Sequence, residues 1–388
     1  MTITIGGSNL EKNDNRLIAF VLAYFLMQAI NLFVKMGPNN LPMWELFSYS
    51  VLALYLVRAL YSVFLKKKLL KFIIVEFIVA LCFGFTWLLN SSLNDGYSSI
   101  VFHSLFVYIP LGWCVFCIDN YSILAKKLYH LSWPISIILL YLSNHLSASI
   151  YDYYMMLGYT LLLPLLVVLD HFLHDHKWYD LLIIVPTFVT ILVVGSRGPL
   201  VCFFAYILLK LLFWENITKR RKVLIVIIAI TIGVVFSLCY KTFVIAIFNL
   251  LLRNGISSRT LIFIINDNYT DSGRFELYRF FINEIKARPF LGWGLSGGWK
   301  SSVYPHNIYI ELMLAFGVVL GSVVSVVFTV FIWKGITKKN SELRRLTHIF
   351  VSICISLLFS NSFIMEQTFF ILLALCIKNT SWGDLSER

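Results

Sequence analysis

Residues 308–333, "IYIELMLAFGVVLGSVVSVVFTVFIW", form an apolar run whose one charged residue is Glu311. A helix needs about 20 mostly apolar residues to cross a bilayer, so this run is long enough to span one. Similar runs recur along nearly the whole chain, in which hydrophobic residues make up 59% and charged residues 13%. Because a soluble domain has about 25% charged residues, the sequence predicts an all-α polytopic membrane protein.

About 12 apolar segments are candidate transmembrane helices. They lie at residues 17–34, 44–64, 72–89, 99–118, 131–146, 153–169, 180–195, 198–214, 223–240, 308–333, 346–362 and 364–378. In the tenth segment, the spacing of Gly317 and Gly321 matches a small-xxx-small pattern and predicts close packing of that helix on a neighbour. The His- and Asp-rich stretch 170–176 falls in a turn after the sixth segment, and we interpret it as a solvated loop.

Basic clusters orient these helices. If the N-terminus is cytoplasmic, the clusters at 66–68, 126–127, 219–222 and 334–345 all face the cytoplasm, as the positive-inside bias requires. The same bias explains the formal net charge of +12 and requires no nucleic acid as a partner. We therefore predict three parts, which are N-terminal transmembrane helices at 1–247 (about nine spans), an extracytoplasmic loop at 248–307 and C-terminal transmembrane helices at 308–388 (about three spans).

The long loop contains a helical pattern. Between residues 272 and 288, apolar residues recur at helical spacing and polar residues occupy the other side, which predicts an amphipathic helix along the membrane surface. Arg274 projects onto the apolar face of this helix, where a guanidinium needs a partner or an anionic ligand. The alternative is that Arg274 snorkels from the helix end.

Two other residues suited to ligand binding or catalysis are predicted to lie on the same side of the membrane. Arg197 occupies a glycine-flanked turn, and its guanidinium offers a fork that matches phosphate oxygens, unless it is an interfacial snorkelling arginine. His306 opens the tenth segment and titrates near neutrality, so it can accept a proton from a hydroxyl. The alternative is that Asn307 caps the helix and His306 is a wet interfacial side chain.

Three stretches together resemble a known family. They are "GSRGPL" at 195–200, "SGRFELYRFFINEIKARPFLGWGLSGG" at 272–298 and "PHNIYIELMLAFGVVLG" at 305–321. In combination they resemble the O-antigen ligase/polymerase superfamily of bacterial envelope glycosyltransferases, over roughly residues 190–322. The resemblance implies an inverting, metal-independent glycosyltransferase with no cofactor, whose donor is a glycan on undecaprenyl diphosphate. It also implies a multi-pass protein of the bacterial inner membrane with an active site that faces the periplasm.

The resemblance also implies roles for individual residues. Arg197 and Arg274 would hold the diphosphate leaving group and offset its developing charge. His306 would activate the acceptor hydroxyl, with Asn307 or Glu311 orienting the ring. The predicted substrate-binding residues are Arg259, Arg288, Asn307, Glu311, Trp293 and Tyr304, and no residue is predicted to bind a metal.

Two activities of the superfamily fit this pattern. A polymerase (Wzy type) joins lipid-linked repeat units to each other, whereas a ligase (WaaL type) transfers the finished glycan to lipid A-core. The short N-terminus and compact loop favour the O-antigen polymerase, which is expected to work in membrane lipid beside a flippase and a chain-length regulator. The chain could itself be a lipid-linked oligosaccharide flippase, but a transporter would place charges near the bilayer midplane. We predict instead that Arg197, Arg274 and His306 converge on one extracytoplasmic cavity.

Overall fold

A computed structural model of the chain describes residues 5–36, 42–90, 93, 96–145, 155–194, 197–213, 245, 249, 273–299, 303–337 and 341–379. Every regular element among these residues is a helix, as the sequence predicts. Seven of the described helices are long and apolar enough to cross a membrane, and two shorter apolar helices accompany them. The chain is therefore a multi-pass membrane protein. The predicted number of about 12 spans is not reached within the described residues, and the predicted span 223–240 lies outside them.

The described helices are, in chain order, α1 (Ile5–Met36), α2 (Pro42–Leu65), α3 (Leu69–Leu89), α4 (Tyr97–His103), α5 (Ile109–Cys117), α6 (Tyr121–His145), α7 (Met155–Asp175), α8 (Leu181–Val194), α9 (Arg197–Phe213), α10 (Arg274–Ala287), α11 (Ile308–Thr337), α12 (Ser341–Cys354) and α13 (Gln367–Asn379). A π-helical turn, Ser104–Tyr108, joins α4 to α5. The chain forms two compact units. The first comprises Met1–Phe25, Phe47–Ala125 and Asp271–Arg388, and the second comprises Leu26–Leu46 and Lys126–Thr270. The predicted division into residues 1–247, 248–307 and 308–388 follows membrane topology and stays a prediction.

A cluster of charges, with buried side chains at Lys66 and Asp14 and an exposed one at Asp119, joins several helix ends at one end of the first unit. The Lys66 ammonium, just after α2, lies 2.6 Å from Asp14 of α1 and 2.6 Å from Asp119, and it also donates to the Cys117 carbonyl at the end of α5. Asp119 pairs in turn with Lys378 near the end of α13. We call Asp14, Lys66, Asp119 and Lys378 the Lys66 cluster. It fixes which helix ends lie together.

The opposite end of the first unit holds the loop that follows α10. Helix α3 starts next to the Lys66 cluster and ends at Leu89, whose carbonyl accepts a hydrogen bond from Arg288. Asn90 donates to the Trp293 carbonyl at 2.9 Å. Because α3 is about 30 Å long, the basic residues 66–68 and this loop are separated by about the thickness of a bilayer. This separation supports the predicted topology.

Helix α11 is broken at Gly317, where the backbone has non-helical angles (φ 78°, ψ 173°). The Tyr309 hydroxyl lies 3.2 Å from the Thr329 hydroxyl, and a Cβ atom added to Gly321 would lie 2.6 Å from the Met313 Cα. Residues 308–316 and 318–337 therefore form an antiparallel hairpin. The prediction of one continuous span at 308–333 is wrong in this respect, because only 318–337 is long enough to cross a bilayer. The glycine pair does permit close packing, but the neighbour is the first part of the same element.

The loop after α10 fills the break in α11. The carbonyls of Leu314 and Ala315, which the break leaves without helical partners, accept hydrogen bonds from the backbone N–H groups of Trp293 and Gly294 at 2.8 and 2.9 Å. A Cβ atom on Gly292 would lie 2.5 Å from the Ala315 carbonyl oxygen, so this approach requires glycine. The glycine-rich stretch is thus a docking element for the hairpin.

The predicted spans 346–362 and 364–378 differ from the observed helices. Helix α12 ends at Cys354 and α13 begins at Gln367, so an irregular segment with short 3-10 turns separates them. Polar residues within this stretch, Ser360, Asn361, Ser362 and Glu366, account for the difference. The Asn361 side chain donates to Glu366 and the Ser362 hydroxyl donates to Glu311, and side-chain hydrogen bonds of this kind compete with helix formation.

In the second unit, α7 packs on α8 and α9. The Asp170 carboxylate is buried and contacts the Tyr206 hydroxyl and the Lys210 ammonium. His171 Nδ1 donates to the fully buried Asp180 at 2.7 Å, and Tyr129 donates to the same carboxylate. The interpretation of 170–176 as a solvated loop is therefore wrong for Asp170 and His171, which belong to a buried polar network.

Candidate functional site

His306 stands at the start of the hairpin in the first unit, and its backbone has a left-handed conformation (φ 53°). Few residues other than glycine adopt this conformation, although histidine is among the more tolerant ones. The next residue, Asn307, caps the helix because its side-chain oxygen accepts hydrogen bonds from the N–H groups of Tyr309 and Ile310. The cap at Asn307, which belongs to the alternative interpretation, is confirmed, whereas His306 is half-buried and hydrogen-bonded to a carbonyl and is not a wet interfacial side chain.

The imidazole of His306 is held by a main-chain carbonyl. Its Nδ1 lies 2.6 Å from the Ser360 carbonyl oxygen, which also accepts a hydrogen bond from the Tyr304 hydroxyl at 3.3 Å. The Tyr304 ring lies against the imidazole, with 4.2 Å between the ring centroids. A carbonyl oxygen only accepts, so Nδ1 carries the hydrogen and Nε2 of the neutral ring keeps its lone pair. His306 is thus arranged as a proton acceptor at Nε2.

The surroundings of His306 favour its neutral form. Burial lowers the pKa of His306 below its usual range; the Ser360 carbonyl opposes this effect, and the positive charge of Arg274 adds to it. Burial also raises the pKa of Tyr304, and the carboxylates of Glu311 and Glu366 add to this shift. A neutral imidazole can accept a proton, so this environment suits a general base.

Arg274 is the first residue of α10, directly after Gly273 in a left-handed conformation. The predicted helix at 272–288 is present, with Phe281 and Ile285 buried, but the side chain of Arg274 is exposed at the helix end. Because its charge acts on the pKa of His306, Arg274 and His306 lie within electrostatic range of each other. The convergence of Arg197, Arg274 and His306 on one cavity stays a prediction.

Arg288 and Trp293 are joined to each other and to the protein. The Arg288 guanidinium lies over the Trp293 ring, 3.9 Å from its centroid, and Trp293 Nε1 donates to the Glu284 carbonyl. These contacts fix the loop that fills the break in α11. Their role as substrate contacts remains a prediction.

The remaining predicted residues are one buried acid of the hairpin and two arginines. Glu311 is 3% exposed, and its carboxylate accepts hydrogen bonds from the Ser362 hydroxyl and the Phe363 N–H. Arg197 belongs to the second unit, where it is the exposed first residue of α9. Arg259 lies outside the described residues. Within the described part of the chain, no group of three or more His, Cys, Asp or Glu is arranged to hold a metal ion.

Residues 182–325 match the family model described as O-antigen ligase. This match supports the resemblance of the segment to the O-antigen ligase/polymerase superfamily. The match includes nearly all of α8, all of α9 and α10, and residues 308–325 of α11, and it contains every predicted site residue. It implies a glycosyltransferase-like enzyme of O-antigen biosynthesis. No curated protein and no solved structure matches the chain.

The residues that accept hydrogen bonds from His306 and Asn307 lie outside the superfamily match, which ends at residue 325. Leu358 accepts a hydrogen bond from the Asn307 side chain at 3.2 Å, and Ser360 binds His306. Sequence reasoning missed this segment because it looked like the end of one span and the start of the next. The signal was present in "SNS" at 360–362 and in Glu366, which are polar residues inside an apolar stretch.

Proposed function

We propose that the protein is an O-antigen polymerase that joins undecaprenyl-diphosphate-linked repeat units at the periplasmic face of the inner membrane. The observation that carries this proposal is the pairing of His306, held as a neutral acceptor at Nε2, with Arg274 in electrostatic range. Both residues lie within the segment that matches the superfamily. A base beside a cation is what glycosyl transfer from a diphosphate requires.

In the proposed reaction, Nε2 of His306 removes the proton from a hydroxyl of the acceptor sugar. The hydroxyl oxygen attacks the anomeric carbon of the donor from the face opposite the diphosphate, so the configuration inverts. The bond between the anomeric carbon and the phosphate oxygen breaks, and its electron pair stays on undecaprenyl diphosphate. Arg274 stabilises this leaving group, so the reaction uses no metal. The imidazolium then returns its proton to solvent.

An O-antigen ligase is the second candidate, because the matching family carries that description. A ligase would use the same donor, base and arginine, but its acceptor would be lipid A-core. A flippase fits less well, since a transporter needs no group poised to accept a proton from a hydroxyl. A partner flippase and a chain-length regulator belong to the polymerase proposal.

Deletion of the gene, followed by a gel of the lipopolysaccharide, tests the proposal. Loss of a polymerase leaves single repeat units on the core, whereas loss of a ligase leaves a core without O-antigen. We expect single repeat units, and complementation with His306→Ala at wild-type protein level should leave this pattern unchanged, because a general base contributes about 10²–10⁴-fold. Restoration of long chains by His306→Ala would refute the proposed mechanism.

A further inference from the structure

The segment 358–366, between α12 and α13, supplies the carbonyl oxygens that the start of the hairpin binds. The Leu358 carbonyl accepts from Asn307 and the Ser360 carbonyl accepts from His306. The 3-10 turn Ile355–Leu358 leads into the segment, and Ser360 donates its N–H to the Ser356 carbonyl. Because the segment is not a regular helix, other contacts must determine where the Ser360 carbonyl lies.

Two carboxylates hold this segment. Glu311 accepts hydrogen bonds from the Ser362 hydroxyl and from the Phe363 N–H, the latter at 3.2 Å. Glu366 accepts from the Asn361 side chain at 2.8 Å and from the Thr368 hydroxyl at 2.7 Å. Each of the three residues that follow Ser360 therefore donates a hydrogen bond to one of these carboxylates. Of the two acids, Glu311 alone belongs to the hairpin that also carries His306.

We propose that Glu311 is a positioning residue for His306, and this inference rests on the proposed function. Asn307 and Glu311 are separated by four residues and share one face of the short helix 308–316. Asn307 binds the segment at Leu358, and Glu311 binds it at residues 362 and 363. The Ser360 carbonyl lies between these two attachments, so the helix that carries His306 also fixes the acceptor for its Nδ1 hydrogen.

The chemical consequence concerns the tautomer of His306. With the Ser360 carbonyl in place, the hydrogen stays on Nδ1 and Nε2 can accept a proton. If the carbonyl moves away, the ring can adopt the other tautomer, in which Nε2 carries the hydrogen and cannot accept one. Partners that orient metal-binding histidines are typically worth about 10–100-fold, and we expect an effect of the same order for the orientation of His306.

Two substitutions at Glu311 separate this role from a substrate contact. In Glu311→Gln, the amide oxygen can accept from Phe363 and the amide nitrogen can donate to the Ser362 hydroxyl, so both attachments survive without the charge. In Glu311→Ala, both are lost. Positioning therefore predicts that the glutamine variant retains activity and the alanine variant does not. A carboxylate that binds substrate or carries charge in the reaction predicts that both variants fail.

The kinetic experiment uses full-length protein in nanodiscs and lipid-linked repeat units extracted from the deletion strain. We expect Glu311→Ala to lower kcat about 10–100-fold with little change in KM, because the donor site is untouched. Glu311→Gln should stay within a fewfold of wild type. Ser362→Ala removes one of the two attachments and should give a smaller loss of kcat. This variant replaces Glu311→Ala as the test if Glu311→Ala does not fold. Glu276→Gln, at an exposed position of α10, is the matched control.

A second measurement reads the tautomer directly. The chain has eight histidines, and the ¹⁵N signals of His306 can be identified by their loss in His306→Gln. We expect one tautomer, with the hydrogen on Nδ1, in wild type and Glu311→Gln, and a mixture in Glu311→Ala.

A single unchanged tautomer with normal kcat in Glu311→Ala would overturn the inference, as would equal defects in both Glu311 variants. If His306→Ala is fully active, the proposed function itself fails; if it is inactive while Glu311→Ala is normal, only the positioning role fails.

Discussion

The first unit holds polar side chains at both of its ends, and the two groups are built in opposite ways. In the Lys66 cluster, one ammonium contacts two carboxylates and a carbonyl, and a second lysine pairs with Asp119. Around His306, the contacts are neutral, and the two carboxylates nearby bind hydroxyl, amide and backbone N–H groups. One end neutralises its charges completely, whereas the other keeps one nitrogen able to accept a proton.

This difference separates a structural role from a chemical one. Every charge of the Lys66 cluster has an opposite partner, so the cluster can join helix ends but has no group left for a substrate. At the other end, the Ser360 carbonyl accepts a hydrogen bond from Nδ1 of His306 and leaves Nε2 to accept a proton. The exposed Arg274 adds positive charge that acts on this ring. Substitutions at the two ends should therefore affect different measurements.

The largest effect is expected for Arg274→Ala. Removal of a group that stabilises developing charge typically costs about 10²–10³-fold in kcat, and we expect a loss of this size because the diphosphate would lose a cation. Arg279→Ala is the matched control, since Arg279 is an exposed arginine of the same helix. The measurement is the rate of transfer in nanodiscs, together with the thermal unfolding temperature, which should not change for either variant. Equal rates for the two variants would contradict the proposed role of Arg274.

The Lys66→Met variant should show the opposite pattern. The side chains of Lys66 and Asp14 are 6% and 4% exposed, and removal of one partner leaves a buried carboxylate without its cation. We expect the free energy of unfolding to fall by about 3 kcal/mol, while the folded fraction retains its transfer rate. Lys71→Met, at an exposed position of α3, is the control. A variant with normal stability and a slow reaction would contradict the division of roles between the two ends.

The pH dependence of stability sharpens this test. Burial raises the pKa of Asp119, but its hydrogen bond and attraction to Lys66 outweigh this effect and lower the pKa overall. A carboxyl with a lowered pKa stabilises the fold above its unfolded pKa, and this contribution is lost as the pH falls through the folded value. We therefore expect the stability of the wild type to fall on acidification, and Lys66→Met to show a smaller fall over the same range.

The two ends also differ in how far the sequence predicts them. The basic residues 66–68 and the amphipathic helix at 272–288 follow from charge and periodicity, and the structure has both at opposite ends of the first unit. The hairpin of α11 does not follow, because an apolar run looks the same whether it is straight or folded back at Gly317. The partners of His306 could not be found either, since a main-chain carbonyl from more than 50 residues away leaves no pattern in the sequence.

The smallest expected effect concerns the acid limb of the pH–rate profile. If neutral His306 is the base, the rate falls as the pH drops through its pKa, which burial and Arg274 hold below the usual value of about 6.5. Removal of the Arg274 charge takes away one of the two lowering effects, so the limb of Arg274→Ala should move to higher pH. Arg274→Lys keeps a positive charge and should leave the limb near the wild-type position, although lysine lacks the guanidinium fork and the rate will be lower. The profile thus separates two functions of one arginine, because the fork governs the height of the curve and the charge governs its acid limb. A limb that stays in place in Arg274→Ala would mean that the charge of Arg274 does not reach His306 in the working enzyme.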